Sequence, residues 1–479
     1  MKKYKSYNDL IYKSGLAELS GIRGFMIIKP YGLSIWENIK IILDKILKNT
    51  GHSNVYFPFL IPKSLFSKEK SHIKGFAKEC AIITHYRMLI KNDKIIIDPK
   101  SKLEEELIVR PTSETLFWQY YGKCIKSYKD LPILLNQWSN VVRWEMKTKM
   151  FIRTSEFLWQ EGHTAHYSKK EAINQSIKML NIYSNFLENF LSIPVIKGIK
   201  TENEKFYGAE KTYCIESIMN DGKAIQLGTS HFLGQNFSKK FNVKFTNKIG
   251  KKEYVWGTSW GISTRLIGSL ILLHSDNLGL IIPPKIAPIQ VVIIPIWDNN
   301  NNEIINEFCI KLKKKLENIH IKVKYDYNNN VTPGWKFNEY ELKGIPIRIT
   351  IGNKEIKKNI CEIYRRDTLK KNIYNNENFS HLINKLLEDI QCNLLKKAKL
   401  KLKNFITTVD DYEVFKNILY KKGGFLSAHW DGKKETEIKI KKETNASIRC
   451  IPINNKKETG KCIFTGKKSN ERVLFAKSY

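Results

Sequence analysis

The 479-residue sequence has no apolar run of the roughly 20 residues that a membrane-spanning helix needs. The nearest, residues 266–282, is broken by His274, Ser275, Asp276 and Asn277. The N-terminal stretch is polar and has no signal-peptide core, so export by that route is not expected. The eight cysteines form no tight pairs, which argues against a disulfide framework and predicts a reduced, cytoplasmic setting. No internal repeat is present. Arginine is scarce, at 11 of 81 basic residues. Lys, Asn and Ile are abundant instead, the composition of an AT-rich genome. That bias accounts for part of the formal net charge of +34. The rest predicts a polyanionic partner such as nucleic acid. Hydrophobic residues at 42% exclude a disordered, collagen-like or low-complexity chain.

The scarcity makes each arginine informative. Where lysine serves elsewhere, a retained arginine marks a need for a planar, forked, permanently charged group. Arg110, Arg143, Arg153 and Arg265 each sit in unusual local sequence.

At roughly 150 residues per domain the length predicts about three domains. The expected fold class is α/β and α+β multidomain. Residues 1–285 read as one large mixed unit. In it, 35–47 and 169–191 have helical apolar spacing, and 265–273 reads as a buried helix. Residues 54–61 are strand-like up to Pro62, and 227–234 and 254–260 are further strand candidates. Residues 133–145 and 157–166 read as an antiparallel hairpin. A proline cluster at 283, 284 and 288 marks the boundary. Beyond it, a doubly buried strand at 289–295 and alternating helix and strand predict a small α/β domain over 286–400. A long basic helix at 379–405 leads into a third, smaller α+β region, 401–479.

Four stretches carry chemistry. Arg110-Pro-Thr-Ser-Glu114 sets an arginine, two hydroxyls and a carboxylate in five residues. On spacing alone it is equally a solvated turn in which Thr112 or Ser113 caps a helix from Thr115. On the hairpin, Trp159, Glu161 and His163 alternate and so share one face, while Arg143, Arg153 and Glu156 lie near the return. That face makes a poor core and a good polar pocket; the alternative is an exposed face with cross-strand ion pairs. The third is 226–234, QLGTSHFLG, whose lone His231 is more often structural. The fourth is 257–265, GTSWGISTR, where small residues let a ligand approach and Arg265 opens a helix whose N-terminus favours an anion.

Together these resemble motifs 2 and 3 of class II aminoacyl-tRNA synthetases. GFMIIKPYG, NVYFPFLIPKS, RPTSE, NVVRWE, RTSEFLWQEGHTAH, GTSHFLGQNF, GTSWGISTR and VLFAKSY are similar to the prolyl-tRNA synthetase family, in its archaeal/eukaryote-type form, from about residue 5 to 479. The resemblance implies a class II antiparallel-sheet catalytic core, an α/β anticodon-binding domain and a small C-terminal domain. It implies ATP-dependent activation of L-proline, transfer to tRNA(Pro), Mg²⁺ alongside ATP, and a homodimer supported by the motif 1 proline, Pro58. By position, Thr112 and Glu114 would hold proline's ammonium, and Arg143 its carboxylate near the α-phosphate. Arg153 and Arg265 would bind ATP, with Glu156 near the adenine and Gln226, Thr229 and Ser263 as further contacts. His231 would belong to the proline pocket, lined by Trp159, Glu161, His163 and Ser259. Glu216 is the candidate Mg²⁺ ligand, or else a surface carboxylate. Lys336, Arg348, Arg365 and Arg366 are candidates for the anticodon stem or bases, or else solvated charges.

Two departures from the family pattern stand out. Some members hold zinc with four cysteines in the third region, but here the positions read Asp431, Thr436 and a segment with Cys462 as its one cysteine, so no zinc is expected. Only 112 positions separate Arg153 from Arg265, too few for the editing domain that bacterial-type members insert there. A threonyl enzyme would need an active-site zinc held by Cys and two His, which the matching positions lack. A catalytically dead relative would have lost motif arginines. A generic basic RNA-binding protein would not explain RPTSE or GTSWGISTR.

Overall fold

The computed structural model describes residues 4–68, 79–298, 302–455 and 457–479. Its centre is an eleven-stranded sheet. Six neighbouring strands form an antiparallel stretch: Ile196–Ile199, Lys211–Ile218, Ala224–Gly234, Trp256–Ser263, Glu156–His166 and Ile133–Val142. The expected hairpin is present, its first strand ending at Val142 rather than at 145, with Trp159 opposite Ser139 and His163 opposite Leu135.

Across one face lies the helix Lys169–Leu191, whose bounds match the apolar period. Ser168 starts it by accepting from the Glu171 backbone N–H, satisfying a donor that a helix start leaves open. Met179, Leu180, Tyr183, Leu187 and Leu191 are fully buried against the sheet. Each such side chain stabilises the fold by about 1.5–3 kcal/mol relative to exposure. With this helix covering one face, the other is free to carry polar side chains.

Residues 54–61 do not form one strand. Ser53–Asn54 and Leu60–Pro62 pair in different sheets. Between them the backbone bonds to side chains: the Phe57 N–H donates to Gln137 Oε1 at 2.5 Å, and Arg110 Nη1 donates to the Phe57 carbonyl at 2.7 Å. Arg110 also donates from Nε to the Asn140 carbonyl, at 2.9 Å. It is fully buried, so its retention is explained by clamping this segment to the hairpin.

Residues 291–375 carry a separate five-stranded sheet in the order 323–325, 291–295, 347–351, 360–365, 371–375. Every residue of Val291–Pro295 is buried, because helices cover both faces of this strand. The helix Phe379–Asn404 then runs back to the unit of the large sheet. There its Gln391 donates to the carbonyls of Asn189 and Phe190.

The C-terminal region has a hydrophobic core of its own, built on Phe415, Leu426, Ile440 and Phe475, and is joined edge to edge to the large sheet. Its strand Ser447–Pro452 pairs with Ile196–Ile199, so its strands continue the large sheet. Among the described residues, no helix is long and apolar enough to cross a membrane.

Candidate active site

Two adjoining cavities of about 270 Å³ each open on the uncovered face of the antiparallel sheet. They share Arg143, Phe157, Gln226, Ser263 and Arg265.

The first cavity is lined by Thr112, Glu114, Trp159, Glu161, His163, Thr229, His231 and Ser259, besides the shared residues. Strand alternation brings Trp159, Glu161 and His163 there together, and Gly162 between them faces the other way. A Cβ on Gly162 would stand 2.0 Å from the Trp260 ring, so the close packing of that face needs glycine.

Glu161 is almost fully buried, with its oxygens occupied by its neighbours. Oε1 accepts from Ser113 Oγ at 2.6 Å and Gln137 Nε2 at 2.8 Å, and Oε2 lies 3.0 Å from His163 Nε2. Ser113 therefore does not cap the helix Glu114–Cys124 through its side chain; its hydroxyl is spent on Glu161. The Thr112 hydroxyl donates to Glu114 Oε2. Glu114 itself is buried on the cavity wall, a place for a cation to be met.

Arg143 follows the strand Ile133–Val142 directly. Its Nε donates to the Pro111 carbonyl at 2.9 Å, and its guanidinium lies 5.3 Å from the Trp159 ring and 5.5 Å from the Phe157 ring. Among the described residues, buried His163 Nδ1 and Ser259 Oγ have no hydrogen-bond partner. Unpaired buried polar atoms are costly, and on a cavity wall they are suited to a polar ligand.

The His231 ring lies tilted against Phe206 with centroids 4.5 Å apart, and its Nδ1 lies 3.0 Å from Thr212 Oγ1. Burial pushes its imidazole down to about 4. Burial does the same to His274, whose Nε2–H donates to the Leu191 carbonyl, and to His52. In the unfolded chain these rings titrate near 6.5. The unfolded state then binds more protons between the two values, so stability is lost as pH falls from 6.5 toward 4. At pH 5 each ring costs up to about 2 kcal/mol. The unfolding midpoint is expected to drop between pH 7 and pH 5, and more gently in His274→Gln, which keeps a donor for Leu191. An unchanged slope in that variant would remove His274 from the account.

The second cavity is cationic. Arg265 opens the helix Arg265–His274 and is aimed by Nε to the Ile152 carbonyl at 3.1 Å and by Nη1 to the Gln226 carbonyl at 3.2 Å. Burial, then repulsion from Arg143, Arg153 and Arg449, pushes its guanidinium down to about 10. Arg153 is paired with Glu145, Nη2 to Oε2 at 2.6 Å. Ser478 and Tyr479 line the same cavity, and the Tyr479 hydroxyl meets Asp221 at 2.5 Å.

Several expected site residues are placed elsewhere. Glu156 lines neither cavity; its carboxylate accepts from Asn140 Nδ2 at 2.9 Å. The second cavity instead has Glu79 and Glu145 on its wall, both overlooked in the sequence, Glu145 lying two residues past Arg143. Glu216 is neither at the surface nor open to a metal. It is fully buried, with Lys200 Nζ at 2.8 Å and Arg449 in a two-pronged pair at 3.0–3.1 Å. The anticodon candidates are likewise engaged. Lys336 is buried 3.3 Å from Asp326, and Arg348 is sandwiched between the Phe337 and Tyr364 rings at 3.9 and 4.3 Å. Arg365 is paired with Asp367 and Asp389. Arg366 is fully buried and forks onto Asp276 at 2.6 and 2.7 Å. Glu204, Phe206, Thr212 and Arg449 join the cavity walls without having been expected.

Comparison with known proteins agrees with this arrangement. Residues 95–274 match the tRNA synthetase class II core domain (G, H, P, S and T), 290–388 the anticodon binding domain, and 412–479 the prolyl-tRNA synthetase C-terminal domain. A proline–tRNA ligase of Flavobacterium psychrophilum is 56% identical over 99% of this chain and 97% of its own length. Proline–tRNA ligases of Azobacteroides pseudotrichonymphae and Bacteroides fragilis are 56% and 54% identical, each over 99% of this chain and 96% of their own length. With matches of that depth along the whole chain, and with its motif arginines gathered on one sheet face, the protein belongs to the prolyl-tRNA synthetase family of class II aminoacyl-tRNA ligases.

Proposed function

We propose that the two cavities divide the family's reaction, the ATP-dependent joining of proline to tRNA(Pro), between them. The first takes proline and the second the nucleotide. The observation that carries this is their shared wall: Arg143, Gln226, Ser263 and Arg265 face both.

Glu114 and Thr112 meet the secondary ammonium of proline, and Arg143 meets its carboxylate. Trp159, Glu161, His163, His231 and Ser259 shape the pocket. Arg153 and Arg265 hold the phosphates, with Gln226, Thr229 and Ser263 as further contacts. Proline's carboxylate attacks the α-phosphorus in line and diphosphate leaves. The nucleophile is already ionised, so alignment and positive charge are what the chain must supply. A terminal adenosine hydroxyl of the tRNA then attacks the adenylate carbonyl, and AMP leaves. Mg²⁺ bound with ATP would supply further positive charge to the phosphates, and Glu216, engaged by Lys200 and Arg449, would not be the residue to hold it.

The third-region positions that bear zinc ligands in some relatives do not suit zinc. Asp431 Oδ2 accepts from Thr436 Oγ1 at 2.9 Å and Thr465 Oγ1 at 3.0 Å, with Cys462 the one thiol at the matching positions and Cys450 off the pattern. One carboxylate, two hydroxyls and one thiol are a poor tetrahedral set for this ion, and hydrogen bonds do the joining. A cytoplasmic homodimer belongs to the same proposal, supported by the motif 1 resemblance at Pro58. Domain limits of 1–285, 286–400 and 401–479 belong to it as well.

The interval from Arg153 to Arg265 supports a form without an inserted editing domain. A proline pocket cannot strongly exclude alanine, since each missing methylene is worth roughly 1–3 kcal/mol. ATP–pyrophosphate exchange with each amino acid in turn is expected to show strong turnover with proline and weak turnover with alanine. No turnover with alanine would overturn the editing argument. Tight tRNA binding with no turnover for any amino acid would move the chain to a binding role.

A further inference from the structure

Arg449 is the one guanidinium at the nucleotide cavity that none of the assigned roles uses. It comes from the strand Ser447–Pro452 of the C-terminal region and reaches the cavity beside Arg153 and Arg265. Its side chain is 11% exposed. Nε and Nη2 grip Glu216, and Nη1 takes no part in that fork. Lys200 Nζ also donates to Glu216, and to the Arg449 carbonyl at 2.6 Å.

This trio holds one cation too many. Glu216 and Lys200 balance each other, so Arg449 adds surplus positive charge at a buried place. Around the cavity stand four guanidinium groups, on Arg143, Arg153, Arg265 and Arg449, against three carboxylates: Glu79 and Glu145 on its wall, and Glu216, which Arg449 shares with Lys200. Desolvated cations in excess repel one another and cost stability in the empty protein. The same arrangement is what a polyanion in a dry site requires, with charges already oriented toward it.

We propose that Arg449 is a nucleotide-binding residue delivered by the C-terminal region: Glu216 fixes its guanidinium, and its charge acts on the polyphosphate of ATP. This rests on the second cavity being the ATP site. The register ties the two together, since Glu216 lies opposite Gln226, whose carbonyl aims Arg265.

The test is Arg449→Met in the full chain, with wild type, Arg449→Lys and a melting curve for each measured in parallel. Arg449→Met leaves Glu216 paired with Lys200, so folding is expected to survive. KM for ATP in proline-dependent exchange is expected to rise about tenfold, the cost of one lost charged hydrogen bond. KM for proline should hold, and Arg449→Lys should fall between. A merely structural role would lower exchange in step with the folded fraction and leave KM for ATP alone, which overturns the proposal. Normal exchange with impaired tRNA charging would give the charge to RNA instead and also overturns it. If the methionine variant does not fold, Arg449→Lys decides: an unchanged KM for ATP rejects the assignment. Wild type without proline-dependent exchange would sink the reading of the cavity itself, before any variant is compared, and this assignment with it.

Discussion

Arg265→Ala is expected to lower proline-dependent ATP–pyrophosphate exchange by about a thousandfold, the scale on which one preorganised charge donor contributes to a dry active site. The side chain is suited to so large an effect. Two main-chain carbonyls on separate elements, Ile152 and Gln226, hold its direction before any ligand arrives. It stands where both cavities meet, so it can face the α-phosphorus as charge builds there. Lysine cannot satisfy two divergent carbonyls and a phosphate together, so Arg265→Lys should recover little. Exchange within tenfold of wild type in the alanine variant would contradict this.

The second large effect is on assembly of the chain rather than on chemistry. Arg366→Met is expected to cost about 2 kcal/mol of stability, because Asp276 loses its fork while its 34% exposed side chain lets water offset part of the loss. Arg366 lies in the anticodon-type domain, and Asp276 closely follows the helix that Arg265 begins. Although burial raises the Asp276 carboxyl, Arg366 outweighs it and holds the group below its usual range. The pair therefore ties the RNA-reading end to the catalytic end. Transfer to tRNA(Pro) should fall further than exchange, because exchange needs no anticodon contact. Pairing Arg366→Met with Asp276→Asn should restore part of the stability, since no carboxylate is then left unmatched. Equal loss of both activities, with no rescue in the double variant, would show that the pair does not couple the two ends.

The sheet and its polar face were readable because their signals are local. Period two placed Trp159, Glu161 and His163 together. Period 3.6 alone located the helix Lys169–Leu191. Arginine scarcity pointed to Arg143, Arg153 and Arg265, all on cavity walls. It pointed to Arg110 as well, but there the demand for a fork came from main-chain carbonyls. What was not readable depended on distant partners. Lys336 and Arg366 look like surface charges until Asp326 and Asp276 are brought beside them. Glu204 and Phe206 sit in a connection with no period to betray them. Glu216 seemed available because its two cations come from elsewhere in the chain, Lys200 just past the strand Ile196–Ile199 and Arg449 on the strand Ser447–Pro452.

The continuity of the large sheet also bears on how the molecule comes into being. Ile196–Ile199 has its outer edge closed by residues 451 and 452. Beneath it, Cys214, Ile218 and Ala224 are covered by Phe425, Leu474 and Ala476. On the ribosome these covers emerge late, long after the strands they protect. A nascent chain halted near residue 440 would present an open β-edge and bare apolar side chains, the features that template aggregation. The catalytic half must therefore wait, shielded or kept loose, until the last strands arrive to close it.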